Sequence, residues 1–428
     1  MLILAIALRN IFRHRTRTII TLFTIAFGCV AIIFVNGFLE DALIRLKEGY
    51  IKSLTGHLQV CKQGAFDKGY AKPFDYMIDD PREIIALIEK IPGVRNTGSR
   101  LIFSGLLSTG DNSVSFLGQG VEPQKEQTLI CRNEKEMLRI MKQKTYLDPD
   151  VGGATIEQGE ALVGNDTYSA NLGKGLAKSL DIKVGDSIVL LTNTVDGSIN
   201  AFDAKAKGMF YTASKSFDDI GLRLPLLTAQ KLLRTQGVNN IVVRLYKTED
   251  TLRVKKELKE VFQNHHWDLE IKSWDEIDDF YTKTATFLHE QLFILEFVMT
   301  VVVLLSIFST MNMVVLERTS EIGTLMAIGT KKSGVVKLFM YEGLMMGLLG
   351  GVIGVVAGFV IVNLISIIGI TMPPTPGMTF HWLNQPKPTI GCYVFVFFLS
   401  GFSALISSTY PAYKASGLEI ATALRGSA

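Results

Sequence analysis

The chain is 428 residues long, more than one compact domain commonly uses, and its formal net charge of +3 excludes a strong electrostatic pull on nucleic acid. Hydrophobic residues make up 48% and charged residues 20%, with positive mean hydropathy, so nearly charge-free stretches must alternate with ordinary soluble ones. The four cysteines (Cys29, Cys61, Cys131 and Cys392) lie far apart with no CxxC or Cys/His spacing, which argues against a metal site.

A helix needs about 20 apolar residues to cross a hydrocarbon core of about 30 Å. In chain order, residues 1–18 carry Arg9, Arg13, Arg15 and Arg17, and a first span follows at 19–39. This span reads as a retained helix rather than a cleaved signal peptide, because the apolar run is too long and no A-x-A site follows. Ala26-Phe27-Gly28-Cys29 is only faintly like a lipoprotein cleavage box, since the apolar run continues past Cys29. Three more spans fall at 291–316, 335–370 and 389–411, giving a membrane α-helical class with four spans. Arg318, Lys331, Lys332 and Lys337 lie between spans two and three, and Lys414 and Arg425 follow span four, whereas the loop at 371–388 holds only Lys387. The positive-inside rule therefore places both termini in the cytoplasm and residues 40–290 outside it.

The 40–290 stretch reads as a large α+β domain. Gly56 to Cys61 alternates as a strand, Asp80-Pro81 opens a helix with Ile84, Ile85, Leu87 and Ile88 on one face, and Val94 to Leu107 is a strand. A similar order recurs later, with helices at 228–234 and 250–263 and strands at 240–245 and 269–274. Two such units, 40–107 and 224–290, flank an inserted lobe at 108–223 with short strands at 161–164, 187–192 and 205–210. His57, His265 and His266 lack partners at ligand spacing, and the adjacent pair reads as strand residues on the surface. No G-x-S-x-G or H-E-x-x-H appears, so no catalytic set is assigned. Whether Cys61 and Cys131 form a disulfide is left open by the sequence.

Between spans two and three, residues 317–334 hold Glu317-Arg318-Thr319-Ser320-Glu321-Ile322-Gly323-Thr324-Leu325-Met326-Ala327-Ile328-Gly329. Ser320 is suited to cap a short helix, Glu321 to its positive end, and Gly329 to its stop, with Ile322, Leu325 and Met326 forming an apolar stripe. This helix is either an interfacial anchor or a docking element for a cytoplasmic partner. Span three carries overlapping GxxxG spacings at Gly343, Gly347, Gly350, Gly351, Gly354 and Gly358, which favour close helix packing. Glu296 and Glu342 read as interfacial carboxylates near opposite membrane faces.

These residues carry a family resemblance. The run from Glu317-Arg318 to Gly329, followed by Lys337, Tyr341-Glu342-Gly343 and the glycine-rich span, resembles the signature of the MacB/LolE/FtsX superfamily of ABC permeases. The tail Tyr410-Pro411-Ala412-Tyr413-Lys414-Ala415 with Ala423-Leu424-Arg425 is similar to its C-terminal signature, and Ala7-Leu8-Arg9-Asn10 to its N-terminal cytoplasmic amphipathic helix. Gly120-Val121-Glu122-Pro123, Lys183-Val184-Gly185-Asp186 and the run from Gly208 to Gln230 also fit.

The resemblance implies a bacterial inner-membrane, multi-pass permease with a periplasmic domain that is porter-like plus an inserted lobe. It implies a coupling helix comprising Glu317, Arg318, Glu321, Ile322, Gly323, Leu325, Met326, Ile328 and Gly329. A second permease copy or paralogue would pair with the chain, and two copies of a separate ABC ATPase would bind ATP and Mg. The chain holds no G-x-x-x-x-G-K-[ST] and opens on the membrane helix, which fits a non-catalytic subunit of the lipoprotein-releasing type (LolC, LolE and LolF). The implied activity is extraction of lipoprotein or other lipid-like cargo by mechanotransmission. A macrolide-efflux or peptide-export role and an FtsX-like control of a cell-wall hydrolase are the alternatives. The stretch 193–203, where lipoprotein-releasing members carry a proline-bearing hook for a periplasmic carrier, has no proline, so a carrier or other outer partner is left open. A lipid cargo would call for an apolar cavity, with Phe23, Phe27, Phe34, Phe38, Phe293 and Phe297 as its lining; ordinary lipid-facing aromatics are the alternative.

Overall fold

The structure, a computed structural model, describes residues 15–69, 72–126, 128–131, 134–142, 153–164, 166–277, 279–374 and 379–417. Thirteen helices are named here in chain order: α1 (Arg15–Tyr50), α2 (Ala65–Lys68), α3 (Arg82–Ile88), α4 (Glu134–Lys142), α5 (Lys174–Ser179), α6 (Lys215–Asp218), α7 (Leu226–Leu233), α8 (Thr251–Asn264), α9 (Trp274–Ile277), α10 (Asp279–Glu317), α11 (Thr319–Ala327), α12 (Lys332–Ile368) and α13 (Ile390–Ser416). The chain divides into a helical unit, built from residues up to Ala42, Ala285–Ile370 and Asn384 onward, and an α+β unit of Leu43–Thr284 and Thr371–Leu383. The proposed N-terminal helix at 1–18 falls almost wholly outside the described residues, as do Ala423, Leu424 and Arg425.

In the helical unit, four helices among the described residues are long and apolar enough to cross a membrane: Thr18–Thr55, Tyr281–Glu317, Lys332–Ile368 and Ile390–Ser416. α1 and α10 are longer than a bilayer needs and run past the expected spans at 39 and 291. The core of this unit joins Ile25, Cys29, Ile32 and Ile33 to Val303, Ile307, Met311, Met346, Val396 and Ala404. Its backbone can approach closely because glycines and small residues face one another. A Cβ at Gly28 would lie 2.5 Å from the Val303 side chain, and the Thr21 hydroxyl reaches that of Thr310 at 3.2 Å. Span four ends at 411 in the sequence reading, yet α13 continues through Pro411 to Ser416.

In the α+β unit, one mixed sheet holds eleven strands among the described residues. They are β1 (Leu58–Lys62), β2 (Val94–Ser108), β3 (Ser113–Val121), β4 (Thr128–Ile130), β5 (Ala154–Gly159), β6 (Ser169–Gly173), β7 (Ser187–Asn193), β8 (Ile199–Tyr211), β9 (Gly221–Pro225), β10 (Asn240–Leu245) and β11 (Leu269–Ser273). The order is β11-β1-β10-β2-β3-β9-β6-β8-β5-β4, with β7 paired to both β2 and β8. The middle of the chain therefore extends the same sheet: β2 pairs antiparallel with β3 over nine positions, from Arg100↔Val121 to Ser108↔Ser113. The strand expected at 161–164 is instead β5, which begins at Ala154, where Ala154 and Ile156 are buried against Phe210 and Phe217.

Two apolar cores lie against this sheet. Ile84 and Ile88 of α3 and Val254, Leu258 and Phe262 of α8 cover Leu58, Val60, Ile241, Val243 and Ile271. Their i, i+4 spacing puts one stripe of each helix on the strands. Leu232 and Leu233 of α7 and Leu176 of α5 pack with Leu101, Phe103, Leu172, Leu190 and Leu222 in the second core. His265 and His266 are not strand residues; they sit past the last turn of α8, with His266 at a φ of 54°. The loop read as 371–388 also carries structure: β12 (Ile370–Met372) pairs with β13 (Trp382–Asn384), and Phe380 packs on Tyr211 with ring centroids 4.9 Å apart.

Candidate coupling helix, packing faces and aromatic surface

α11 begins one residue after α10 ends. Its N-terminal flank is Arg318, whose side chain makes no capping bond, so Ser320 is not the cap the sequence suggested. The Thr319 hydroxyl donates back to the Leu316 carbonyl at 2.8 Å, which lets the chain turn out of α10 without a conventional cap. Gly329 ends the element at a φ of 102°, a left-handed conformation that favours glycine.

The helix is split by burial. Ile322 is 2% exposed and packs with Val314, Val315, Val335, Phe339, Ala412 and Ala415, and Met326 leans on the same cluster. Gly323 is buried too. The expected stripe therefore breaks: Leu325 faces away and is 37% exposed, Ile328 is 80% exposed, and Glu317 and Glu321 are also exposed. An inward edge anchors the helix, while Glu321, Leu325 and, just past the last turn, Ile328 are left uncovered, with Glu317 exposed at the end of α10.

Arg318 and Glu342 were not expected to meet. Arg318 Nη1 donates to both oxygens of Glu342, at 3.2 and 3.4 Å, and both side chains are about 5–6% exposed. Glu342 is thus a buried partner and not the interfacial carboxylate that the sequence reading made it. Glu321 lies 3.9 Å from Arg318 Nε at the exposed end of the pair. Glu296 is half-buried on α10.

The glycines of α12 serve two different neighbours. On one face, Gly343 lies against Ser408, where a Cβ would come within 2.6 Å, while Gly347 and Gly351 lie against Ala404 and Ser400 of α13. The Ser400 hydroxyl also donates to the Gly347 carbonyl at 3.2 Å. On the other face, Gly350, Gly354 and Gly358 receive Ile25, Cys29 and Ile33 of α1, with a Cβ at Gly354 coming within 2.5 Å of Cys29 Cβ. Both ridges step by four residues, as does each partner ridge, so each GxxxG series matches one helix.

The six phenylalanines divide likewise. Phe23, Phe27, Phe293 and Phe297 are 62–70% exposed, and Phe23 and Phe27 stack with centroids 6.4 Å apart. Phe34 packs on the helical core, and Phe38 is half-buried with its carbonyl accepting from Asn384.

The α+β unit has a charged interior that sequence reasoning missed. Glu126 holds Arg100 at 2.8 Å and Arg244 at 2.8 Å, and all three side chains are 2–5% exposed. Arg223 joins them by donating to the Ser53 carbonyl at 2.8 Å and lying over Phe210 at 5.0 Å. Burial opposes ionisation of Glu126, but Arg100, Arg244 and Arg223 together hold its carboxyl well below the usual range. Asp218 sits in the opposite situation: burial pushes its carboxyl up to about 7, although the Thr212 hydroxyl and amide donate to one oxygen at 2.8 Å. His57 is buried; burial, then Arg244 and Lys52, lower it to about 3. Its Nδ1 accepts from the Leu245 amide at 3.1 Å, which fixes the neutral form. All four cysteines are free and buried, so Cys61 and Cys131 are unpaired thiols. Among the described residues no cluster of His, Cys, Asp and Glu could hold a metal.

Four membrane-length helices, a short helix between the second and third, and a large α+β unit between the first and second define a multi-pass membrane protein of permease architecture. The chain belongs to the MacB-like and FtsX-like ABC permeases: the MacB-like periplasmic core domain matches residues 18–261, and the FtsX-like permease C-terminal domain matches residues 293–420. It is similar to an uncharacterized ABC transporter permease of Methanocaldococcus jannaschii, 27% identical over 64% of this chain and 66% of that one. It is similar to the macrolide export ATP-binding/permease protein MacB of Syntrophobacter fumaroxidans, 24% identical over 59% of this chain but only 33% of that one. It is also similar to the lipoprotein-releasing system transmembrane protein LolC of Xylella fastidiosa, 23% identical over 91% of this chain and 88% of that one. The chain thus spans less than two thirds of the length of the first two relatives.

Proposed function

We propose that this chain is the non-catalytic membrane subunit of an ATP-driven translocase whose ATPase, with its ATP and Mg, is a separate polypeptide present in two copies, and that it pairs with a second permease copy or paralogue. The observation that carries this reading is α11, a short helix anchored by Ile322 and the Arg318–Glu342 pair that leaves Glu321, Leu325 and the flanking Ile328 uncovered, next to the exposed Glu317 at the end of α10. An uncovered edge of mixed apolar and acidic character on a surface-lying helix suits docking into a groove on another protein. The basic residues flanking the spans support a cytoplasmic side for this helix and for both termini.

The cargo in this reading is a lipoprotein or another lipid-bearing molecule taken from the outer leaflet, moved by mechanotransmission. Its support is the near full-length alignment with a lipoprotein-releasing subunit and the aromatic side chains left exposed on α1 and α10. Porter-like segments at 40–107 and 224–290 and a lobe at 108–223 would handle it outside the membrane. Changing Phe23, Phe27, Phe293 and Phe297 together to Ser tests the cargo assignment. Lipoprotein release from spheroplasts should fall about tenfold or more, the loss of a few kcal/mol of apolar contact. Full release by the variant, with normal membrane insertion, would remove the lipid-cargo reading.

A further inference from the structure

α3 and α8 cover one face of β1 and β10. Leu58 and Val60 of β1 point to those helices, so Gln59 and Cys61 point to the other face. Cys61 pairs with Asn240 of β10 and Asn240 with Arg100 of β2, from which Ile102 and Ser104 follow at period two. Ser104 pairs in turn with Leu117 of β3. Against this second face lies a cavity of about 120 Å³, whose wall is completed by Ala65 and Phe66 of α2 and by Pro73 and Tyr76.

Among the described residues, none that lines this space is charged. A charged guest would leave water for a wall without a counter-ion, so the cavity selects a neutral one. The polar side chains of the wall are nearly all spent on protein partners. Asn239 Nδ2 donates to the Pro73 carbonyl at 2.7 Å, and Asn239 Oδ1 accepts from the Ile102 amide at 2.6 Å. Gln59 Nε2 donates to the Thr55 carbonyl and Gln59 Oε1 accepts from Asn240 Nδ2, both at 2.9 Å. Asn240 Oδ1 is left over: the residue is 4% exposed, and this oxygen has no hydrogen-bond partner among the described residues. A buried acceptor without a partner is costly, and a guest that donates one hydrogen bond removes that cost. Size sets the rest, since an apolar protein cavity of about 150 Å³ holds one benzene.

We propose that this cavity binds a small neutral molecule of the phenol type, a single ring carrying one hydrogen-bond donor, with the donor on Asn240 Oδ1. Ile102, Leu117, Phe66 and Tyr76 supply the apolar surface for the ring, and the lone acceptor orients it. Every residue of the site lies within the α+β unit, so the site does not depend on α11, on the ATPase or on the cargo assignment.

The test is thermal unfolding of the full-length detergent-solubilised protein with phenol and with toluene, compared at equal free concentration. The two have the same number of heavy atoms and differ in the donor. Phenol should stabilise saturably, by roughly 3 °C when it is at about ten times its half-saturating concentration. Toluene should need roughly threefold or more ligand for the same shift. Ser104→Trp plugs the space from an exposed position, so it should keep the wild-type unfolding temperature without ligand and lose the response to phenol. Ala65→Phe fills the space from α2 and gives the same reading from a second position. Ligand dissolved in the micelle acts on wild type and variants alike, so the difference between them reports the cavity. No saturable response of the wild type, a response to toluene as strong as that to phenol, or an undiminished response in a folded plugged variant overturns the proposal.

Discussion

Arg318 and Glu342 illustrate how one residue pair sets a local geometry. Removing one partner leaves a buried charge, so Arg318→Leu or Glu342→Leu should each destabilise the helical unit by about 3–5 kcal/mol, whereas the double Leu variant should recover most of that loss. Thermal unfolding of the three variants in detergent checks the cycle, and additive losses would show that the pair does not act as a unit. Glu342 was misread from the sequence because hydropathy registers an acidic residue at the edge of an apolar run without showing that Arg318, 24 positions away, returns to meet it.

Asp218 gives a prediction of opposite sign to the usual carboxylate. Its folded pKa of about 7 lies above the unfolded value, so the folded state holds the extra proton between roughly pH 4 and 7. Its contribution to stability is complete below about pH 4 and is lost as pH rises through 7, by about 4 kcal/mol at most. Asp218→Asn keeps an oxygen for Thr212 and removes the titration. Relative to the wild type it should be more stable at pH 8 than at pH 4, as read by urea unfolding at the two pH values; a difference independent of pH would contradict the assignment.

At the scale of elements, the glycine series on α12 was legible as a packing signal, since small residues four apart mark close helix approach. What spacing alone could not show was that alternate glycines face different helices, because an overlapping series is compatible with one face or two. Gly347→Ala should force α12 off α13 and cost about 1–3 kcal/mol, and Ala404→Gly in the same chain should recover only part of it, because the Ser400 carbonyl would still lie 2.8 Å from the added Cβ. Gly391→Ala, where a Cβ would meet only Thr389 Oγ1 at 3.8 Å, should be silent. Detergent-solubilised unfolding temperatures of the three variants check this. In the α+β unit the strands at 240–245 and 94–107 and the helices at 82–88 and 251–264 could be read because apolar residues recur at period two or at i, i+4. The segment at 161–164 misled because a short apolar run with glycine nearby fits a strand or an irregular loop equally well. Ser320 misled because the helix starts directly off α10, where no free N-terminus needs that cap.

For the whole molecule, four charge-poor runs separated by one long polar stretch were enough to give four spans and an α+β unit between the first two. The single sheet running through that unit, and the return of residues 371–383 to it, depend on pairings between distant segments that periodicity does not encode. The charged interior was equally hidden, since Arg100, Glu126, Arg223 and Arg244 are scattered along the chain as ordinary polar residues. The central claim is that α11 docks a separate ATPase, and it is tested most directly by gentle detergent purification of the tagged chain from its own host, with mass spectrometry and ATPase assay of what comes with it. A Walker-motif ATPase should co-purify with the wild type and be lost from the Leu325→Asp and Ile328→Asp double variant, whose exposed positions leave the fold intact. Absence of any ATPase from the wild type, or its undiminished recovery with the variant, would contradict the account.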